Sequence, residues 1–337
     1  MSLEFRHIAH AYGPVRALED ISFTARTGEI TCLLGSSGCG KSTLLNLAAG
    51  LLKVQQGSIV LGGEVLADAA RHPAPEERPV GLVFQDGALF PHMTVARNVG
   101  FGMRRGRGDV DAWLEQVGLA GLGPRYPHEL SGGQQQRAAL ARAMAPGPQV
   151  LLMDEPFASV DIVLRRRLRR DCRIILREQG TTTILVTHDP DEALDIADRI
   201  AVMEAGRIVQ FGSPADLHER PATASVGAIF GGAQIVRAER DGEQLRTIFG
   251  MWPVSAVGGD LPESRAFDLL VFADRLELVP DENGMAVRDI QPLGDGYRVL
   301  LTGEGADLTV EQSHDISSEQ RYSARPQTAS VRAFSAD

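Results

Sequence analysis

The sequence is poor in the features that mark secreted or membrane-spanning chains. Its three cysteines, Cys32, Cys39 and Cys172, show neither a C-x-x-C spacing nor an even-numbered disulfide framework. No window approaches the roughly 20 consecutive apolar residues that a transmembrane helix requires, and the N-terminal stretch lacks the apolar core of a signal peptide. We therefore expect a reduced, cytoplasmic protein that reaches any membrane through a partner.

Excess positive charge is also missing. Lys and Arg number 34 against 44 Asp and Glu, a formal net charge of −10, and this balance argues against broad nucleic-acid binding. The arginine run 165–170, interrupted only by Leu168, is the exception. Leu164, Leu168, Cys172 and Ile175 follow helical spacing. We interpret them as the buried face of a helix whose arginines cover the opposite, solvated side.

The chain of 337 residues is long enough for about two domains. Up to about Gly231, short apolar strands (29–35, 80–84, 150–154 and 182–188) alternate with helices, which is typical of an α/β domain with a largely parallel sheet. Residues 86–149 interrupt this pattern with helical pieces. Residues 232–337 contain short β-like runs between turns such as Asn283–Gly284 and Asp295–Gly296. We assign residues 1–231 to an α/β domain with a helical subdomain at about 86–149, and residues 232–337 to a small all-β domain.

The stretch GSSGCGKST, residues 35–43, lies between a predicted strand and a predicted helix at 41–49. It fits the phosphate-loop pattern G-x-x-x-x-G-K-[ST], in which backbone N–H groups and a helix N-terminus hold phosphates. We predict that Lys41 contacts the phosphates and that the Ser42 hydroxyl binds Mg²⁺. The alternative, a glycine-rich turn without a ligand, does not explain the lysine and the helix. The predicted nucleotide-binding residues here are Gly35, Ser36, Ser37, Gly38, Cys39, Gly40, Lys41, Ser42 and Thr43.

Polar residues follow three other apolar strands. Asp154 ends VLLMD, where it is placed to hold magnesium, and Glu155 follows at once, where it can accept a proton from the attacking water. Gln85 is predicted to end the strand VGLVF and to bridge magnesium, the water and a neighbouring surface. His188 ends TTILVTH and is predicted to hydrogen-bond the γ-phosphate. The alternative is ordinary polar groups at strand ends, but ligands gather at the carboxyl ends of strands in open α/β sheets.

The stretch LSGGQ places Ser131 as the N-cap of a helix whose first amides are bared by Gly132 and Gly133, ahead of Gln134. Such a helix end attracts an anion. The chain already has its own phosphate loop, a whole subdomain away. We therefore infer that Ser131 and its amides meet the γ-phosphate bound by a second copy, so that a two-fold pair encloses two ATP molecules.

Taken together and in this order, these motifs resemble the ATP-binding cassette subunits of membrane transporters over roughly residues 1–231. The resemblance implies a RecA-like phosphate-loop core with a helical subdomain, ATP and Mg²⁺ as ligands, and a C-terminal β domain of the TOBE or OB type. It also implies that Tyr12 stacks on adenine and that Asp161 lies in the loop that contacts the second copy. Two departures are Ala158, where most relatives have serine, and Phe272-Ala273-Asp274, where importer relatives tend to have Arg-Pro-Glu.

The resemblance further implies a peripheral protein on the cytoplasmic face of the inner membrane that binds permease subunits. A periplasmic substrate-binding protein would be an indirect partner. Phe90, Pro91 and Met93 would border the groove that receives a permease helix; from composition alone they are subdomain core. The motif surroundings look most like ATPases of ferric-iron importers. Sulfate, polyamine, thiamine and sugar importers share much of the pattern, and an exporter ATPase or a cassette ATPase of DNA repair or translation fits less well.

Overall fold

The computed structural model describes residues 1–85, 87–103, 109–158, 160, 162–231, 233–303, 306–314 and 316–335. Contacts divide the chain into two compact units, Met1–Pro214 and Ala215–Asp337. The helix Ala224–Gly231 contacts strands of the second unit, while the domain boundary that we place near residue 231 stays a prediction.

The strands of the first unit are β1 (Leu3–Tyr12), β2 (Val15–Ala25), β3 (Ile30–Leu34), β4 (Gln56–Leu61), β5 (Glu64–Asp68), β6 (Val80–Val83), β7 (Val150–Asp154), β8 (Thr182–Thr187), β9 (Arg199–Glu204) and β10 (Arg207–Gly212). They form an antiparallel sheet of order β2-β1-β4-β5 and a six-stranded sheet of order β10-β9-β3-β8-β7-β6. In the second sheet only β10 runs antiparallel to its neighbour. The predicted parallel α/β core is confirmed.

The helices of this unit are α1 (Lys41–Ala49), α2 (Val95–Val99), α3 (Val110–Gln116), α4 (Gly132–Met144), α5 (Ile162–Gln179) and α6 (Pro190–Ile196). The described residues between 86 and 149 contain helices and no strand, as predicted. A hydrophobic cluster drawn from β1, β2, α1, β3 and β7–β9 forms the core. It packs α1, which follows the phosphate loop, between the two sheets.

The strands β3, β7 and β8 are almost entirely buried along their length. Strands covered on both faces read as continuous apolar runs, which is why the sequence reveals them. Because the three strands are parallel neighbours, their carboxyl ends lie at one edge of the sheet. Ligands bind at this edge in open α/β sheets.

The second unit consists of two short helices followed by a small β domain. Its helices are α7 (Pro214–Glu219) and α8 (Ala224–Gly231), and its strands are β11 (Gln234–Asp241), β12 (Gln244–Thr247), β13 (Gly250–Pro253), β14 (Ala266–Val271), β15 (Leu276–Leu293), β16 (Gly296–Thr302), β17 (Asp307–Gln312), β18 (Arg321–Pro326) and β19 (Arg332–Ser335). They form antiparallel sheets of order β13-β12-β11-β14-β19 and β17-β16-β15-β18. One core, centred on Trp252, is shared by both sheets.

Two sequence-based expectations are wrong. Asn283–Gly284 is not a turn between strands: it lies inside β15, where a bulge makes Pro280 and Met285 both pair with Tyr322. The arginines of α5 are not all on its solvated side, because Arg169 is 3% exposed. Leu168, Cys172 and Ile175 are buried as predicted, while the Leu164 side chain lies outside the described residues.

Candidate nucleotide site

The loop between β3 and α1 is shaped by glycines. A Cβ added to Gly35 would lie 2.2 Å from the Met203 carbonyl oxygen, and one added to Gly40 would lie 2.5 Å from that of Ala17. Gly40 also has φ 106°, a left-handed conformation that side chains disfavour. As the N-cap of α1, Gly40 offers no side-chain cap. The first amides of α1 are therefore left for an anion.

Lys41 lies inside this loop and is 5% exposed. Its Nζ donates to the carbonyl oxygens of Gly35 at 2.7 Å and Ser36 at 2.9 Å, and lies 3.7 Å from the sulfur of Cys39. A buried ammonium held by loop carbonyls fixes a positive charge at the carboxyl end of β3. This is the charge that the sequence assigns to the phosphates.

Ser42 and Asp154 come together across the sheet edge. The Ser42 hydroxyl donates to Asp154 Oδ1 at 3.3 Å, although 112 residues separate them in the chain. Burial, and then the charge of Glu155, raise the pKa of Asp154 above its usual range, against the hydrogen bond from Ser42. A carboxylate in such surroundings is stabilised by a nearby cation.

Glu155 and His188 form a second pair at this edge. His188 Nδ1 lies 3.0 Å from Glu155 Oε1. Glu155 has φ 42°, which is uncommon for a residue with a side chain, and its N–H is held by the Val186 carbonyl at 2.9 Å. Strained residues of this kind cluster at active sites because the surrounding structure must hold them there. The sequence predicts both side chains but not the strained backbone.

Tyr12 is 49% exposed at the end of β1, and its hydroxyl lies 3.5 Å from Thr43 Oγ1 in the first turn of α1. The buried His10 ring packs edge-on against the Tyr12 ring, with centroids 4.9 Å apart. Burial lowers the pKa of His10, which favours the neutral form of the ring that packs against Tyr12. The structure thus places an exposed aromatic face beside the phosphate loop, where the family resemblance puts adenine.

Ser131 is the N-cap of α4, as predicted. Its Oγ accepts from the Gln134 N–H at 3.4 Å, and Gln134 Oε1 accepts from the Ser131 N–H at 2.9 Å, which together form a capping box. The Gln135 side chain donates to two carbonyl oxygens of the preceding segment. No hydrogen bond in the described part of the chain joins these residues to the phosphate loop.

Gln85 does not end its strand: β6 stops at Val83, and Gln85 lies exposed in the turn that follows. Beyond it is a groove of about 390 Å³ lined by aromatic and proline side chains. Phe90 lines the groove, partly buried, against Phe101 with ring centroids 4.6 Å apart. Pro91 is exposed, and Met93 is partly buried. Asp161, predicted for the contact with the second copy, lies outside the described residues.

Sequence reasoning missed Arg142, which also lines this groove. From the C-terminal turn of α4 it donates to the carbonyl oxygens of Ala88 at 2.6 Å and Gly87 at 3.0 Å, and it lies 5.3 Å from the centre of the Phe90 ring. One rigid helix therefore joins Ser131 at its first turn to the groove at its last. The alanine-rich pattern of α4 indicates a helix but gives no sign of this contact.

A charged cluster lies behind His188, and the sequence does not reveal it. The buried Arg169 meets three carboxylates: Asp189, with which it has a short contact, Asp195 at 3.3 Å and Glu192 at 3.6 Å. Burial raises the pKa of Glu192 to about 7, against the charge of Arg169, and the charge of Asp189 adds to the increase. Chiefly because it is buried, the Glu192 carboxyl holds its proton into the neutral range although Arg169 lies beside it.

This shifted carboxyl predicts a pH-dependent stability. From about pH 4.5 to about pH 7 folded Glu192 keeps a proton that the unfolded chain has released, so the wild type loses stability as pH rises through that window. Because glutamine does not titrate, we expect Glu192→Gln to avoid this fall in the free energy of unfolding, which amounts to up to about 3 kcal/mol. The melting temperature of Glu192→Gln relative to wild type should therefore rise with pH between these values. The exposed Glu178→Gln, as control, should show no such trend; a parallel result for both variants contradicts the prediction.

Comparison with known proteins agrees with this geometry. Residues 18–158 match the family described as ABC transporter. The chain is 42% identical, over 92% of its length and 90% of the relative's, to the Fe(3+) ions import ATP-binding protein FbpC 1 of Rhodococcus jostii. It is 44% identical to the sulfate/thiosulfate import ATP-binding protein CysA 2 of Chromobacterium violaceum, over 80% of this chain and 74% of that one.

A solved ATP-binding cassette, dimeric in a post-hydrolysis state with ADP and Pi, superposes with a TM-score of 0.55 at 27% identity, over 63% of this chain and 98% of that one. The chain therefore belongs to the ABC transporter family.

Proposed function

We propose that this protein hydrolyses ATP as the motor subunit of an importer, working as a pair of identical copies. The observation that carries the proposal is the cluster of Lys41, Ser42, Asp154, Glu155 and His188 at the carboxyl ends of three neighbouring strands. Ser42 lies 3.3 Å from Asp154 and Glu155 lies 3.0 Å from His188, and the buried Lys41 ammonium precedes Ser42 in the chain, which supports a site that combines a phosphate-binding charge with a base. The names of the relatives support the assignment.

The residues divide the reaction between them. Lys41 and the loop amides hold the β- and γ-phosphates, while Tyr12 stacks on the adenine. Glu155 accepts a proton from water as the water oxygen attacks the γ-phosphorus and ADP leaves. His188, when both ring nitrogens carry a proton, donates from Nδ1 to the Glu155 carboxylate and from Nε2 to a γ-phosphate oxygen.

The Ser42 hydroxyl and the Asp154 carboxylate suit Mg²⁺, which is usually held by one or two protein oxygens together with phosphates and water. The raised pKa of Asp154 fits a carboxylate that needs a cation nearby. Gln85 is a further candidate from the sequence. Mg²⁺, when bound, supplies positive charge to the phosphate oxygens.

The position of Ser131 supports the two-copy arrangement. Its capping box turns an exposed, preorganised helix N-terminus outward, and its hydrogen bonds join it to its own helix rather than to the phosphate loop. The solved relative described above is dimeric. In the pair, Ser131, Gly132, Gly133 and Gln134 of one copy meet the γ-phosphate held by Lys41 of the other.

Mixing two broken variants tests this arrangement. Lys41→Ala removes the positive charge of the phosphate loop, and Ser131→Arg blocks the opposing helix N-terminus. Neither variant alone can therefore form an intact site. A mixed pair has one intact site, because the loop of one copy faces the helix end of the other. With both variants also carrying Glu155→Gln, we expect ATP-dependent energy transfer between differently labelled copies only in the mixture. No pairing in the mixture, or full pairing by either variant alone, contradicts a shared site.

The groove beyond Gln85 is proposed to receive a cytoplasmic helix of the permease. Its apolar lining, including Phe84 at 44% and Phe101 at 60% exposed, suits a helix bearing apolar side chains. In the described residues, no helix has the length and apolar character needed to cross a membrane. We propose that the chain works on the cytoplasmic face of the inner membrane, with a periplasmic binding protein acting only through the permease. Co-purification with a multi-span permease tests this, with the groove variant Phe101→Asp expected to lose it.

Ferric iron is the first cargo to test, because the motif surroundings resemble those of ferric-iron importers and a relative so named covers 92% of the chain. Sulfate is the second, because a sulfate/thiosulfate relative reaches 44% identity. Deletion of the gene should reduce the uptake of radiolabelled ferric iron and leave that of sulfate unchanged. The reverse result makes sulfate the cargo.

A further inference from the structure

Arg165, near the start of α5, contacts two loops that border the nucleotide face. Its Nη2 donates to the Val160 carbonyl oxygen at 2.9 Å and reaches that of Ala158 at 3.5 Å. Its Nη1 lies 3.8 Å from Asp189 Oδ2. One guanidinium thus contacts both the main chain that follows Glu155 and the side chain of Asp189, which follows His188.

Backbone hydrogen bonds hold the described residues of the loop on the Glu155 side. The Ala158 N–H donates to the Glu155 carbonyl oxygen at 3.2 Å, and the Val160 N–H donates to that of Phe157 at 3.3 Å. Phe157 and Val160 are buried. Because these bonds tie the turn together, a group that holds its carbonyls also fixes the backbone of Glu155.

The loop on the His188 side is equally constrained. Asp189 caps α6, and its Oδ1 accepts from the N–H groups of Asp191 at 3.0 Å and Glu192 at 3.3 Å. Its Oδ2 faces Arg165 and the buried Arg169. Asp189 therefore cannot shift without moving His188 or breaking several bonds.

We propose that Arg165 is a positioning residue that holds the Glu155 loop and the His188 loop at a fixed separation. The proposal rests on the hydrolytic roles of Glu155 and His188 proposed above. Between those two side chains the direct bond is a single 3.0 Å contact, whereas Arg165 joins the main chain that follows Glu155 to the side chain of Asp189, the residue next to His188. The planar guanidinium can reach carbonyls on one side and a carboxylate on the other, which a lysine ammonium reaches only one at a time.

Kinetics of the full chain test the role. Misplacing catalytic groups by about 1 Å can cost about 100-fold in rate, so we expect Arg165→Gln to lower kcat by roughly 10- to 100-fold while KM for ATP stays within about twofold. Arg165→Lys should recover part of the rate. Arg166→Gln, at an exposed position of the same helix, should behave as wild type. An unchanged kcat, or a rise in KM alone, overturns the proposal.

A double-mutant cycle separates positioning from general support of the fold. If Arg165 acts through His188, then His188→Ala should cost less in the Arg165→Gln background than in wild type. If the two effects multiply, Arg165 does not position the histidine. Melting curves for all variants identify any that fail to fold, and Arg165→Lys then carries the test.

A spectroscopic measurement does not depend on hydrolysis. In histidine-labelled protein the His188 ring resonance, identified by its loss in His188→Ala, should move in Arg165→Gln and stay in place in Arg166→Gln. If the His188 resonance moves in Arg165→Gln but ATP hydrolysis does not depend on Glu155, the proposed function is wrong and the link between Arg165 and His188 stands. If hydrolysis depends on Glu155 but neither the resonance nor kcat responds to Arg165→Gln, the link is wrong and the proposed function stands.

Discussion

Glu155→Gln should slow ATP hydrolysis by about 100- to 1000-fold, because an amide cannot accept the proton of the attacking water. The amide keeps the size of the carboxylate and can still meet His188 Nδ1, so ATP binding should persist. With hydrolysis blocked, the γ-phosphate continues to contact both copies. Phosphate release should therefore fall, while light scattering in ATP should show a stable pair that the wild type forms only transiently.

Asp20→Asn is a closely matched control for this variant. Asp20 also has a left-handed backbone, with φ 50°, and it also meets a histidine, with its Oδ1 2.7 Å from His7 Nδ1. It lies on β2, and its carboxylate meets His7 rather than a member of the cluster Lys41, Ser42, Asp154, Glu155 and His188, so the hydrolysis rate of Asp20→Asn should match that of wild type. If Glu155→Gln hydrolyses ATP at the wild-type rate, Glu155 is not the base. Slow hydrolysis without a stable pair in ATP instead removes the two-copy cycle.

Lys41→Ala should abolish measurable ATP binding. The change removes a buried charge that the loop holds in place through the carbonyl oxygens of Gly35 and Ser36. When Nζ turns from these carbonyls to the phosphates, it can donate to two phosphate oxygens; hydrogen bonds to charged groups are worth about 1.5 to 3 kcal/mol each, so their loss weakens affinity by at least about 100-fold. Calorimetric titration with ATP and Mg²⁺ measures this directly.

The chain provides its own control, since Lys53 is its one other lysine. Lys53 is exposed just beyond α1, and Lys53→Ala should bind ATP as the wild type does. Lys41→Met, which keeps the length of the side chain without its charge, separates loss of charge from loss of packing in the loop. Retained affinity in both Lys41 variants contradicts the phosphate site.

The sequence predicts much of the fold because the elements that carry the site are locally encoded. Strands buried on both faces appear as unbroken apolar runs, and α1 begins after a glycine loop and ends at Gly50. The tight turn at Ala205–Gly206 between β9 and β10, with φ 44° and 80°, is likewise local. In each case one stretch of chain determines the structure by its own sterics and hydrophobicity.

Errors arise where distant segments decide the outcome. Arg169 follows the arginine pattern of a solvated helix face, yet carboxylates of a later segment surround it and bury it. Asn283–Gly284 has the composition of a turn, but pairing with β18 holds it within a strand. Neither effect has a local signal.

By itself the sequence determined the phosphate loop, the acid pair at the end of β7, the helix cap at Ser131 and the membership of these motifs in one family. Each depends on neighbours in the chain, so residue type and spacing suffice to specify it. Only the tertiary structure decided that Ser42 meets Asp154, that Glu155 is strained against His188, and that Arg165 joins the two loops behind them. The first two contacts depend on the parallel registration of β3, β7 and β8, which brings together residues separated by 112 and 33 positions, and packing of the whole core sets that registration.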